Sequence, residues 1–217
     1  MEKDIYILGV GHNTCVYIDL AQACGYNIKG LYHYNNERTG EFDHGFPILG
    51  SFEDLFKLES LQGMNFALSQ GDNKIRSSIF NKIKEKNGNI PTLIHPTANV
   101  SQFAKIGQGV VIHINSVVHP DVSIGDNTVL SYNVSITHSS SIGKNCYLAL
   151  GALVGAYVNI HDNVFIGIGA KLISGKVNDV GNNAYIGAGA LVTKSVEEYT
   201  VMAGFPAKII KTLKKDE

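Results

Sequence analysis

The sequence predicts a small α/β domain followed by a parallel β-helix with a C-terminal cap. Two observations carry this reading: aliphatic residues recur every six positions through the second half, and strand-like and helix-like runs alternate through the first. A third is compositional, 23 glycines and no tryptophan in 217 residues, which points to a repetitive, glycine-turned second half.

The repeat begins at Ile94 and steps through Val100, Ile106, Ile112, Val118, Ile124, Leu130, Ile136, Ile142, Leu148, Val154, Ile160, Ile166 and Leu172 without a break. With Ile, Leu and Val making up roughly a quarter of the chain, such a run arises by chance on the order of once in 10⁸. Four positions after each aliphatic residue stands a small or β-branched one, such as Ala98, Val110, Thr128 or Ala170, and glycine often follows directly, as at Gly107, Gly125, Gly143, Gly155 and Gly167. An α-helix cannot keep a period of six on one face, whereas a coil with three flat sides turns every 18 residues and sends each aliphatic side chain inward. Residues 93–195 therefore form five to six coils. After Leu172 the phase slips by two and resumes at Val180, Ile186 and Val192, so a bulge is expected near Ser174-Gly175-Lys176. Each coil buries its side chains only against its neighbours, so the stack needs caps. Residues 196–217, Pro-containing and then Lys-rich, are read as a crossing segment and a terminal capping helix. Handedness does not follow from the spacing.

Residues 1–92 read as alternating strands and helices. Ile5 to Leu8 is a strand, Gly9-Val10-Gly11 a turn, Cys15 to Cys24 an apolar-periodic helix and Ile28 to Tyr32 a second strand. A capping box at Ser51-Phe52-Glu53-Asp54 opens a short helix, Phe66-Ala67-Leu68 is a short strand, and Lys74 to Lys86 a helix ending at Asn87-Gly88. Such alternation builds a mostly parallel sheet.

Composition narrows the function. Eighteen Lys and Arg against 19 Asp and Glu leave a net charge of −1, which argues against nucleic acid or an anionic membrane surface as partner. No apolar run approaches the roughly 20 residues a bilayer requires, and no signal-peptide pattern opens the chain, so no membrane insertion and a cytoplasmic location are expected. Cys15, Cys24 and Cys146 are odd in number and lack CxxC spacing, which makes buried thiols a better reading than a disulfide framework.

The repeat, followed by Ile186-Gly187-Ala188-Gly189-Ala190-Leu191-Val192-Thr193-Lys194 and Val201-Met202-Ala203-Gly204-Phe205-Pro206-Ala207-Lys208, resembles the left-handed β-helix, or hexapeptide-repeat, acetyltransferases. The order of domains, with Leu93-Ile94-His95-Pro96 at the junction, narrows the resemblance to the bacterial nucleotide-sugar N-acetyltransferases and sialic-acid O-acetyltransferases with a Rossmann-like N-terminal domain. It implies a left-handed coil, a homotrimer with sites between adjacent β-helices, acetyl-CoA as co-substrate and no metal.

Acetyl-CoA brings an activated thioester, so the site needs a base for the attacking group and donors for the developing oxyanion. His138, in Ile136-Thr137-His138-Ser139, matches the family's catalytic histidine. The family places Glu or Asp next, where this chain has Ser139; a hydroxyl can hold an imidazole tautomer but cannot stabilise imidazolium as a carboxylate does. Asp121 precedes Ser139 by one full coil and is expected in the same column, about 4.8 Å away by strand spacing, where it would support His138 through Ser139 or stand as a solvated turn residue. The resemblance carries acetyl-CoA contacts to Tyr147, Ile168 and Ala188, with Tyr147 standing where relatives often have histidine. It carries the nucleotide sugar to Gly11, His12 and Asn13 in the loop before the first helix, to His33 and Tyr34 in place of the family's acidic pair, and to Gly71. As a dinucleotide fingerprint that loop is incomplete, because position 14 is Thr. Histidines 95, 113, 119 and 161 raise the rival of a zinc site, which three converging histidines would be needed to form.

The expected activity is acetyl transfer from acetyl-CoA to the amino group of a nucleotide-linked amino-deoxy sugar, of the 4-amino-4,6-dideoxy kind, for surface-glycan synthesis. The alternatives are O-acetylation of a sugar hydroxyl and a catalytically silent, nucleotide-sugar-binding trimer.

Overall fold

The computed structural model describes residues 3–214; Met1 and Glu2 of the first expected segment and residues 215–217 of the last lie outside the described residues. The chain divides into two compact units, Met1–Leu93 and Ile94–Glu217.

In the first unit, β1 (Lys3–Leu8), α1 (Thr14–Ala23), β2 (Tyr26–His33), β3 (Phe42–Asp43), β4 (Phe46–Ser51), α2 (Phe52–Lys57), β5 (Phe66–Leu68) and α3 (Asn73–Glu85) follow in order. The sheet order is β3-β4-β2-β1-β5, parallel except for the β3/β4 pair. Strand β1 lies inside the sheet, and adjacent Ile7 and Leu8 are both fully buried, as a parallel strand covered on both faces requires. The capping box forms as expected: Ser51 Oγ accepts from Asp54 N at 3.1 Å while the Asp54 carboxylate accepts from Ser51 N at 3.2 Å. The β3/β4 hairpin is an addition to the sequence reading. Its signal is His44-Gly45, both at positive φ (48° and 83°), which closes a two-residue turn.

The second unit is the parallel β-helix. Its two-residue strands stack into faces of eight, six and five strands, the eight-strand face ending in the two C-terminal strands. Registers place aliphatic over aliphatic one coil on: Ile136 beside Val154, Ile142 beside Ile160, Leu148 beside Ile166. Every member of the six-residue series from Ile112 to Leu172 is at most 3% exposed, so the series is the core. The corners follow a second register. Residues at 109, 115, 121, 127, 133, 139, 145, 151, 157, 163, 169 and 175 all have φ between 56° and 68°. Gly, Asn, Asp and Ser fill all of these but one, because short side chains tolerate the left-handed region and larger ones do not. At these corners backbone bonds tie coil to coil, as in Ser139 N to Pro120 O (3.2 Å) and Gly189 N to Ile168 O (2.7 Å). Between Leu172 and Asp179 the chain spends two extra residues in a bulge closed by Val177 N to Ile173 O (3.0 Å), where the phase slip places it.

The C-terminal segment departs from expectation. In place of a terminal helix, Thr200–Gly204 joins the eight-strand face beside Tyr185–Ile186, and Ala207–Thr212 pairs with it antiparallel. The last coil leaves an open sheet edge whose backbone groups demand partners, and β-branched Ile209, Ile210 and Thr212 suit a strand; the edge outweighs the helix propensity of the lysines.

One buried group gives this unit an acid-sensitive stability. His113, 4% exposed and 5.0 Å from the Tyr132 ring, has its pKa pushed from 6.5 down to about 4, by burial first and the neighbouring His95 second. Since the unfolded chain takes up the proton at higher pH than the folded one, stability present above pH 6.5 is lost as pH falls toward 4, by about 3 kcal/mol. Urea midpoints across that window should fall steeply for the native protein and much less for His113→Gln.

Candidate active site

His138 sits on the corner between strands Ser135–Ile136 and Ser141–Ile142, exposed on the outside of the coil. Its Nδ1 lies 3.3 Å from Ser139 Oγ. The corner is braced from within by Ser140, whose buried hydroxyl donates to Gly155 O at 2.9 Å and accepts from Val158 N at 3.1 Å, so the imidazole is carried on a rung-to-rung bonded turn. Asp121 and Ser139 occupy the same corner position one coil apart, both at left-handed φ. Asp121 is exposed, and among the described residues its carboxylate bonds to neither Ser139 nor His138. The Tyr157 ring stands edge-on to His138, with centroids 5.4 Å apart and planes at 89°.

The residues expected at acetyl-CoA lie elsewhere on the coil. Ile168 and Ala188 are on the next corner round, between the eight-strand and six-strand faces, stacked one rung apart and both exposed. The backbone is close there: a Cβ on Gly167 would lie 2.5 Å from Ala188 N and 2.7 Å from Gly187 C. Tyr147 lies on the eight-strand face, stacked on Phe165 at 5.7 Å, which in turn stacks on Tyr185 at 4.6 Å. The six-strand face separates the His138 corner from the Ile168 corner, so a single copy of the coil does not bring the two groups together.

In the first unit, Gly9 to Asn13 line a cleft of about 340 Å³ with Tyr34, Phe52, Ser69, Gln70 and Ile75. Gly9 has φ 109°, and a Cβ on it would meet Ser69 Oγ and Gln70 Nε2 at 2.4 Å, so the loop needs glycine at this position. Thr14 explains the incomplete fingerprint. Its buried Oγ1 accepts from Gly11 N at 2.6 Å and donates to Gly11 O at 2.8 Å, occupying an amide that a pyrophosphate cradle would use. Asn13 reaches across to Ser69 O at 3.3 Å. Of the other expected residues, Tyr34 is 66% exposed at the cleft, whereas His33 is buried with Nδ1 2.7 Å from Asn35 Oδ1, and neither His33 nor Gly71 lines the cleft. Buried Arg76 was missed by the sequence reading. Its guanidinium donates to Gln70 O at 3.2 Å and Asn73 Oδ1 at 2.9 Å, fixing the loop that closes the cleft.

Three of the four histidines of the zinc rival have other neighbours. His95 Nδ1 lies 2.9 Å from Thr97 Oγ1, His113 is buried against Tyr132, and His161 faces Asp179 at 3.5 Å. Among the described residues no group of three His, Cys, Asp or Glu gathers as a metal site, and no helix is long and apolar enough to cross a membrane.

Two family models match the chain: the PglD N-terminal domain over residues 4–83 and the bacterial transferase hexapeptide over residues 103–138. The chain thus carries a match to the PglD N-terminal domain followed by a match to the bacterial transferase hexapeptide. Among curated protein sequences none gives a significant match. Among solved structures, the chain is similar to PerB from Caulobacter crescentus in complex with CoA and GDP-perosamine, at 27% identity and TM-score 0.86, covering 96% of this chain and 97% of that one. It is also similar to the acetyltransferase domain of PglB from Neisseria gonorrhoeae in complex with acetyl coenzyme A, at 26% identity and TM-score 0.85, covering 97% and 100%. WeeI from Acinetobacter baumannii, at 20% identity and TM-score 0.68 over 95% and 99%, shares the fold. The coil is left-handed, as the resemblance implies.

Proposed function

We propose that this protein transfers the acetyl group of acetyl-CoA to the amino group of a nucleotide-linked amino-deoxy sugar, with His138 as general base. The observation that carries the reading is likeness along nearly the whole chain to PerB, solved with CoA and GDP-perosamine, together with an exposed corner histidine positioned by its neighbouring hydroxyl. A histidine-to-alanine mutant of the GDP-perosamine N-acetyltransferase has likewise been solved with both ligands.

In this reading His138 takes the proton from the attacking amine, Ser139 holds its Nδ1 side, and Asp121 contributes a nearby negative charge without contact. Tyr147, Ile168 and Ala188 line the path of CoA, where small residues and close backbone let an extended chain lie against the coil. The cleft at Gly9–Asn13 and Tyr34 takes the nucleotide sugar; His33 and Gly71 shape its loops. An amine attacks before losing its proton, so a base lacking a carboxylate partner suits N-acetylation better than O-acetylation. Because His138 and Ile168 stand on different corners, a second copy bringing its own corner to the first completes the site, which supports a homotrimer with sites between β-helices; acetyl-CoA as co-substrate fits a cytoplasmic enzyme.

Free-CoA release, followed with a thiol reagent in the presence of acetyl-CoA and UDP-, dTDP- and GDP-linked 4-amino-4,6-dideoxy sugars, tests this reading. Turnover with one acceptor is expected. Turnover only with hydroxyl acceptors would establish O-acetylation, and none with either class would leave a silent binder.

A further inference from the structure

We infer that Tyr157 is a positioning residue for His138, its aromatic ring doing the orienting work that a carboxylate after the histidine would otherwise do. The inference rests on the reading of His138 as the base.

Tyr157 occupies a corner position that the fold reserves for short side chains. From 109 to 175, every other position of its six-residue register is Gly, Asn, Asp or Ser, yet Tyr157 is held at φ 60°. A bulky residue there is strained, and strain of this kind persists where the side chain has a use. Tyr199, the other tyrosine at positive φ among the described residues, lies where the chain leaves the coil.

The side chain is not there to fill the core, since Tyr157 is 68% exposed. Nor does its hydroxyl hold the structure together, because among the described residues it makes no hydrogen bond. What the ring touches is His138, edge-on at 5.4 Å, within the roughly 4.5–7 Å of a favourable perpendicular ring pair. The same residue's N–H donates to His138 O at 3.4 Å, so backbone and ring both bear on the histidine. Ser139 meets the imidazole at Nδ1 and Tyr157 meets it as a ring, so two neighbours from adjacent coils restrict its rotation.

The test compares Tyr157→Asn, Tyr157→Phe and His138→Asn in the full-length protein. Asparagine suits the backbone, so Tyr157→Asn should raise the thermal midpoint by about 3 °C while lowering kcat roughly ten- to hundredfold, with KM for acetyl-CoA unchanged. Phenylalanine keeps the ring and should keep kcat within about twofold. Proton NMR of the His138 Hε1 and Hδ2 resonances gives a readout that needs no turnover: their ring-current shift should be lost in Tyr157→Asn and kept in Tyr157→Phe. Wild-type kcat or unmoved His138 resonances in Tyr157→Asn would overturn the inference, as would Tyr157→Phe falling as far as Tyr157→Asn, which would make the hydroxyl the acting group. If His138→Asn abolishes turnover while Tyr157→Asn does not change it, only this inference fails; if His138→Asn turns over normally, the assignment of the base fails with it.

Discussion

His138→Asn is expected to lower kcat by about 10²–10⁴-fold, the usual contribution of a positioned general base. KM for acetyl-CoA should stay near the wild-type value, because the residues proposed to line the CoA path, Tyr147, Ile168 and Ala188, stand away from the His138 corner. The fold should not notice the change. The side chain is exposed, its one polar contact among the described residues is the 3.3 Å approach to Ser139, and the corner is braced by Ser140 rather than by the imidazole. Steady-state kinetics with the acceptor found by CoA release, beside a thermal melt of the same preparation, separates these effects. A variant that loses activity and stability together would show that His138 holds the corner rather than acting from it.

Gly167→Ala is expected to produce a large loss of stability from a single methyl group. The added Cβ would lie 2.5 Å from Ala188 N and 2.7 Å from Gly187 C, both backbone atoms of the next rung, so neither can swing aside. Forcing the two coils apart should cost about 3 kcal/mol, or roughly 6–12 °C in the melting midpoint for a chain of this size. It should also raise KM for acetyl-CoA, since the displaced rung carries Ala188 beside Ile168. Gly169→Ala provides the contrast: it has open space around its Cβ and differs only by its φ of 64°, so its cost is that of the left-handed backbone alone.

The β-helix was readable because its core obeys one rule from end to end: each sixth side chain points inward and must be aliphatic, so the sequence from Ile94 to Leu172 spells the coil directly. The corner rule was equally present, in the Asn and Gly residues from Gly109 to Gly175, and would have shown Tyr157 as the exception. The C-terminal hairpin was less legible. Its Lys and Ile residues permit helix or strand, and the choice is made by an open sheet edge that exists only once the coil is built. The β3/β4 hairpin rests on two turn residues, His44 and Gly45, too short a signal to compete with the longer periodic runs. In the candidate site, His138 was found through resemblance, but its neighbour Tyr157 lies 19 residues on and meets it only when one coil is laid on the next. The inward turn of His33 toward Asn35 likewise depends on side-chain packing that no motif encodes.

The bulge between Leu172 and Asp179 has a use beyond accommodating two residues. The strands on either side keep their pairing, Lys171 with Leu191 and Asp179 with Asn159, although one turn of the coil is longer than its neighbours. Chain length is therefore quantised along the flat sides and free at the corners. A foreign peptide grafted at Ser174–Lys176 should leave the stack intact, whereas a single residue inserted within a flat side would throw every following side chain out of phase. Corners are thus where such a scaffold can acquire new specificity while its interior stays unchanged.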